Sequence, residues 1–212
     1  SGLGYAIVRS ALDAGDEVVL ADRDISGVDR SQLDSDRSLV LSCDVSDSMK
    51  TQSSVEQAIE RFGRIDVLVN NAGFGHGGMF EEIAQEDIDR MFGTNVFGVF
   101  NVTRSVLPFM RASRYGRIVN ISSIAAVRGV PGGSQYCACK YAVEGFSEAL
   151  ATEVEQFGVK VTIVQPGLFR TNFFKAEAIR YATHSISDYD ALLKEVLEKY
   201  DEEHGTEIEK DK

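Results

Sequence analysis

Short apolar runs recur along the chain at Glu17–Ala21, Ser38–Ser42, Ile65–Asn70, Arg117–Ser122 and Val159–Gln165. Each is rich in Val, Ile and Leu and nearly continuous in apolar residues, the pattern of strands covered on both faces. Between them, residues 3–14, 47–62, 81–112 (with a break) and 135–157 carry apolar positions at helical spacing. Strand–helix alternation of this kind predicts a parallel sheet with right-handed crossovers, an α/β doubly wound fold. The whole chain, 1–212, reads as a single domain without an internal repeat or linker.

The last part follows a different pattern. Tyr189, Leu192, Leu193, Val196, Leu197 and Tyr200 fall at i, i+3, i+4 spacing, which predicts an amphipathic helix capped by Ser187 or Asp188. From Asp188 onward there are ten acidic and four basic residues, so this segment holds −6 of the total −11 charge. It reads as a solvated surface. The acidic balance argues against nucleic acid or an anionic membrane as the main partner. No apolar run approaches a membrane span. Cys43, Cys137 and Cys139 lack the companions of a zinc site and read as small core residues of a protein in a reducing compartment, the cytoplasm.

One helix carries candidate chemistry. Tyr136 and Lys140 are four residues apart, on one helix face. Ser123 lies thirteen residues before the tyrosine, at the end of a strand run. An ammonium beside a phenol favours the phenolate, so Lys140 is expected to pull the Tyr136 pKa down from its usual value near ~10. A serine hydroxyl can hold the reacting oxygen. Such a group can move a proton at a carbon–oxygen centre.

The N-terminus opens on Ser1, Gly2, Leu3 and Gly4 and enters a helix at once. Glycines there let a phosphate approach the helix N-terminus. Asp22 ends the next strand, where a carboxylate can accept hydrogen bonds from ribose hydroxyls and repel a 2′-phosphate. That favours NAD over NADP, although the adjacent Arg23 could pair with the extra phosphate.

Together these residues resemble the short-chain dehydrogenases/reductases, in their single-domain branch. Residues 1–4 are similar to the second half of that family's glycine-rich loop, Asp44-Val45 to its adenine pocket, and Asn70-Asn71-Ala72-Gly73 to its N-N-A-G stretch. Asn95, Ser123, Tyr136 and Lys140 match its catalytic tetrad, and Pro166-Gly167 with Thr171 matches its P-G-x-x-x-T turn. The resemblance runs from residue 1 to about residue 175.

It implies a Rossmann-like sheet of order 3-2-1-4-5-6-7 in the family's own strand numbers, and hydride transfer between NAD(P) and an alcohol or ketone. Tyr136 is implied as acid/base, Lys140 as ribose ligand, Ser123 as holder of the substrate oxygen and Asn95 as holder of a water. Asn71, Ala72 and Gly73 are implied beneath the adenosine ribose, Gly167 and Leu168 at the carboxamide, and Thr171 at the carboxamide or pyrophosphate. Asn70 is expected to tie neighbouring strands.

The pocket candidates Val127, Val130, Leu168, Phe169, Phe173 and Phe174 suggest an apolar substrate, with 172–212 as lid region and acidic helix. His76, in a glycine-rich loop, is expected to be solvated. A homodimer or homotetramer is implied by the resemblance. Measured against the family, strands 1 and 7 lie outside this sequence, which implies at least ten further N-terminal residues. Without strand 1 the neighbouring strands would stand about 10 Å apart with open edges. Two other readings stay open: a non-catalytic dinucleotide sensor and a truncated, inactive relative.

Overall fold

The computed structural model describes residues 2–167, 179–182 and 185–204. Helix α1 (Gly2–Asp13) leads into β1 (Val18–Asp22), which pairs in parallel with β2 (Ser38–Ser42). Helix α2 (Ser48–Phe62) begins where the Asp47 carboxylate accepts from the Met49 and Lys50 N–H groups, and left-handed Gly63 ends it. Strand β3 (Val67–Asn70) pairs with β5 (Gly116–Ile121), and β5 with β6 (Val159–Val164), all parallel. The five apolar runs are thus the five strands expected. Among the described residues they form two separate sets, β1-β2 and β3-β5-β6.

The break expected in 81–112 is real and has a specific form. Helix α3 (Gln85–Phe92) runs through a π-helical turn, Gly93–Phe97, into α4 (Gly98–Ser113). Helix α5 (Ser134–Val154) follows β5, and α6 (Asp190–His204) closes the described chain. The cap expected at 187–188 is instead a 3₁₀ turn, Ser187–Tyr189, and the α-helix starts just after it.

Two short strands were missed. Residues Gly75–Gly77 form a short strand, β4, parallel to β7 (Ile179–Tyr181). Its glycines carry no strand propensity, so the sequence reads as a loop.

Two apolar clusters hold the layers together. Val55, Val106, Met110, Ile118, Leu150, Val154 and Val159 join α2, α4 and α5 to the three-stranded sheet. Met91, Val96 and Cys139 form a second cluster, with Phe74, Phe92, Phe100 and Tyr136 packed on it. Each large side chain fully buried in such a cluster contributes about 1.5–3 kcal/mol. The second cluster lies directly behind the candidate chemistry. All three cysteines are buried free thiols, as expected.

Candidate active site

Strand β5 delivers Ser123 and helix α5 delivers Tyr136 and Lys140. Backbone bonds from Ser122 to Val164 (2.8 Å) and from Ile124 to Pro166 (3.3 Å) fix the strand end against β6 and the Pro-Gly turn. The Ser123 hydroxyl accepts from the Ala125 N–H at 3.1 Å, which leaves its own proton to donate. It is hydrogen-bonded to Tyr136, and this bond favours the phenolate.

Burial nevertheless outweighs that bond and pushes the Tyr136 phenol up to about 12. This corrects the expectation of a depressed value: desolvation by burial is the largest influence on the phenol and outweighs the bond from Ser123. The Lys140 ammonium stands 5.6 Å from the Tyr136 ring centre and donates to the Ile121 carbonyl at 2.9 Å. Burial pulls its pKa down to about 8, against the opposing pull of Cys139 and Glu144.

Asn95 sits fully buried in the π-helical turn. Its Nδ2 donates to the Phe74 carbonyl (2.9 Å) and its Oδ1 accepts from the Phe74 N–H (3.1 Å). A shared backbone therefore locks the turn to the segment after β3. Gly73 lies between two of the grouped residues. A Cβ there would stand 3.2 Å from Asn95 Oδ1 and 3.9 Å from Lys140 Nζ. The four positions are thus linked in series: Asn95 and Lys140 meet at this glycine, Lys140 stands over the Tyr136 ring, and Tyr136 is hydrogen-bonded to Ser123.

The cofactor candidates are distributed as follows. A Cβ on Gly4 would reach Asn71 Nδ2 at 2.6 Å, so only a glycine lets α1 start this close to the N-N-A-G stretch. Gly2 has a left-handed φ of 65°. Ala72 and Gly73 are exposed. The Asp22 carboxylate is exposed at the end of β1 and accepts only from the Asp24 N–H (3.1 Å) among the bonds described. The Asp44 carboxylate accepts from Ser46 Oγ (2.7 Å) and N–H (3.0 Å), which holds its pKa below the usual range, and Arg23 lowers it further. Val45 turns its side chain toward Gly98, where a Cβ would clash at 2.6 Å.

Pro166 and Gly167 follow the end of β6; Gly167 is exposed, and among the described residues nothing stands within 4 Å of a Cβ placed there. Ser1, Leu168 and Thr171, and the pocket candidates Phe169, Phe173 and Phe174, fall outside the described residues. Val127 and Val130 are exposed beyond Ser123.

These features fit a dinucleotide. Gly4 stands against Asn71, Gly73 lies beside Asn95 and the buried Lys140 ammonium, and an exposed carboxylate stands at the end of β1.

Residues 1–181 match the sequence family described as short chain dehydrogenase. The chain belongs to the short-chain dehydrogenases/reductases. Among curated relatives, the 3-ketodihydrosphingosine reductase of Bacteroides thetaiotaomicron is 47% identical over 163 residues, which is 76% of this chain and 61% of that protein. The match thus spans less than two thirds of that relative's length. A short-chain dehydrogenase from Streptomyces avermitilis superposes with a TM-score of 0.84 at 38% identity, over 93% of this chain and 75% of that one. The 3-ketoacyl-(acyl-carrier-protein) reductase of Brucella melitensis, solved with NADH, gives 0.73 at 34%, over 78% and 70%. A gluconate 5-dehydrogenase from Burkholderia cenocepacia, solved with NADP and tartrate, gives 0.76 at 27%, over 83% and 71%. The α/β fold expected from the strand–helix alternation, and the Rossmann-like form of it implied by the resemblance, are therefore those of this family.

Near the site, the expectation for His76 is corrected and two further polar residues, Gln135 and Glu82, escaped the sequence reading. His76 is buried, not solvated, with Nε2 3.3 Å from Asp87 Oδ2. Gln135, just before the tyrosine, is buried and donates to the His76 carbonyl at 2.8 Å. Glu82 is buried and accepts from the Met79 N–H (3.1 Å) and the Ile186 N–H (2.9 Å). The alternating glycines around His76 hid the strand that buries it. Glu82 and Ile186 are 104 residues apart, so no local spacing links them.

Proposed function

We propose that this short-chain dehydrogenase is an NAD(P)-dependent oxidoreductase that reduces the ketone of an apolar substrate, with NAD(H) as the favoured nucleotide. The observation that supports this most is the state of Tyr136. Its phenol, protonated at neutral pH like any tyrosine and held there more firmly by burial, is hydrogen-bonded to Ser123. A protonated, positioned phenol is a proton donor.

The nicotinamide, when bound, supplies the hydride and the protein supplies orientation and proton handling. Tyr136 then gives its proton to the developing alkoxide oxygen. Ser123 donates to the same oxygen and stabilises its charge as it forms. Lys140 stands behind Tyr136, where its ammonium favours the phenolate left after transfer and can hold ribose hydroxyls. Asn95 fixes the Phe74 backbone beside Gly73. Asp22 accepts from the adenosine ribose, and its charge disfavours a 2′-phosphate there. Exposed Val127 and Val130 beyond the serine present an apolar wall to the substrate. The reductase names carried by two of the relatives point the same way.

A homo-oligomer is part of the same reading. Phe97, 54% exposed at the start of α4, stacks edge-on against Phe100 with 6.1 Å between centres. That leaves an apolar face for a second copy, which light scattering on the purified protein checks.

The decisive test follows the near-ultraviolet band of NADH and NADPH with a panel of 3-keto esters and thioesters. Turnover lost by about 10²–10⁴-fold in Tyr136→Phe, with nucleotide affinity retained, supports the reading. Nucleotide binding without turnover on any ketone would favour a sensor.

A further inference from the structure

The amide of Gln135 is fixed at both ends. Its Oε1 accepts from Ser134 Oγ at 3.2 Å, and its Nε2 donates to the His76 carbonyl at 2.8 Å. That carbonyl is itself held rigidly. Alternate residues of a strand aim their carbonyls at opposite edges. The Gly77 carbonyl accepts from the Ala182 N–H at 3.0 Å, on the β7 side. The His76 carbonyl points the other way, to α5.

The His76 ring is packed 3.3 Å from Asp87 Oδ2, and Asp87 Oδ1 pairs with Arg90 at 2.5 Å. Arg90 in turn lies 5.6 Å over the Phe74 ring, whose backbone holds Asn95. A second bond, from the Gly78 N–H to the Gly132 carbonyl (3.1 Å), ties the same segment to the loop that opens α5. Gly78 has φ of 140°, and a Cβ there would meet the Ala182 Cβ at 2.8 Å.

We propose that Gln135 is a positioning residue for Tyr136: its carboxamide clamps the first turn of α5 to β4 and so sets where the phenol stands. The inference rests on Tyr136 being the proton donor. Gln135 precedes it by one residue, is 2% exposed, and has its described hydrogen bonds with Ser134 and His76. Its bond is made to a backbone carbonyl, so no partner side chain can replace it. Displacing a reacting group by a fraction of an ångström to an ångström can cost up to about a hundredfold in rate.

Two variants test this. Gln135→Leu keeps the bulk and removes the donor. We expect kcat for ketone reduction to fall about ten- to a hundredfold while KM for nucleotide and ketone stays within about twofold. Gln135→Glu places a carboxyl at the same atoms, and a carboxyl donates to a carbonyl only when protonated. Buried there, it titrates above its usual range, so kcat relative to the parent rises as pH falls. Parent-like kcat in Gln135→Leu, or a loss carried by nucleotide KM, overturns the proposal.

A second readout needs no turnover. With ¹³C-labelled tyrosine, the Tyr136 Cζ resonance, assigned through Tyr136→Phe, should shift in Gln135→Leu with the fold intact by circular dichroism. An unmoved resonance overturns the clamp. A parent protein that binds NADH yet reduces no ketone overturns the oxidoreductase reading alone, and the resonance then decides the clamp.

Discussion

Asn70 and Asn120 stand side by side in the register of β3 and β5, and Asn70 Nδ2 donates to Asn120 Oδ1 at 2.8 Å in the buried interior. The pair extends both ways. Asn70 also donates to Thr103 Oγ1 at 3.1 Å, and Asn120 donates to Ser147 Oγ at 2.8 Å, which donates to the Val143 carbonyl at 2.6 Å. A polar chain therefore crosses from α4 through two strands to α5. Buried polar groups are tolerated only when paired, so breaking the chain strands its neighbours. Asn120→Leu should lower stability by roughly 1–3 kcal/mol. In thermal unfolding that reads as a Tm lower by about 3–10 °C. The double variant Asn70→Leu/Asn120→Leu should cost less than the sum of the singles, because both partners leave together.

Gly73 gives a test at the site itself. A Cβ there would be 3.2 Å from Asn95 Oδ1 and 3.9 Å from Lys140 Nζ, in the space assigned to the nucleotide. Gly73→Ala should weaken NADH binding about tenfold, roughly 1.4 kcal/mol. Its Tm should move little, since the residue is exposed. A fluorescence titration of NADH against both proteins measures the difference.

The buried ammonium of Lys140 makes a pH signature. Its folded pKa, about 8, lies below the ordinary value of 10.5. Between these values the unfolded chain holds the proton and the folded chain has lost it, so stability rises with pH across that window. Tyr136 acts oppositely higher up: the folded phenol keeps its proton to about 12 against 10.0 ordinarily, so its contribution is lost as pH climbs through that range. Lys140→Met, free of nucleotide, should be more stable than the parent at pH 7, and the gap should close as pH approaches about 10. Tm against pH for the two proteins checks this. A constant gap would contradict it.

Nucleotide choice should turn on Asp22. Its carboxylate is exposed at the end of β1. Asp22→Ser removes the acceptor and the repulsion, leaving Arg23 beside the position of a 2′-phosphate. NADH affinity should fall about tenfold and NADPH affinity should rise, reversing the preference. Paired titrations with the two nucleotides report it.

The elements that could be read from sequence were those whose signal is local. The five strands are continuous apolar runs, and the helices keep a 3.6-residue period. Ser123, Tyr136 and Lys140 are brought together by a strand end and one helix face, which spacing can suggest and the other motifs of the chain make specific. Asn70 as a tie between strands came with the family resemblance, and its bond to Asn120 bears it out. What escaped depends on partners far away in the chain. Strand β4 is mostly glycine and exists because β7 lies against it. His76, Gln135 and Glu82 are buried by contacts with segments 59 to 104 residues distant. The Tyr136 pKa was misjudged because spacing shows the neighbouring lysine and not the apolar cluster of Met91, Val96 and Cys139 behind it.

The π-helical turn at Gly93–Phe97 has a consequence for how the two halves of that long helix can vary. The Gly98 N–H reaches back to the Gly93 carbonyl, five residues away in place of four. One surplus residue is therefore held in the coil, and the face that α4 shows the sheet is turned by about 100° relative to a regular continuation of α3. Removing a single residue here would let the backbone relax into an ordinary helix. Asn95 would swing off Phe74, and every side chain of α4 would be dealt a new direction. The length of this stretch is thus as much a part of the site as its residue types, and a one-residue deletion would be felt more widely than any substitution within it.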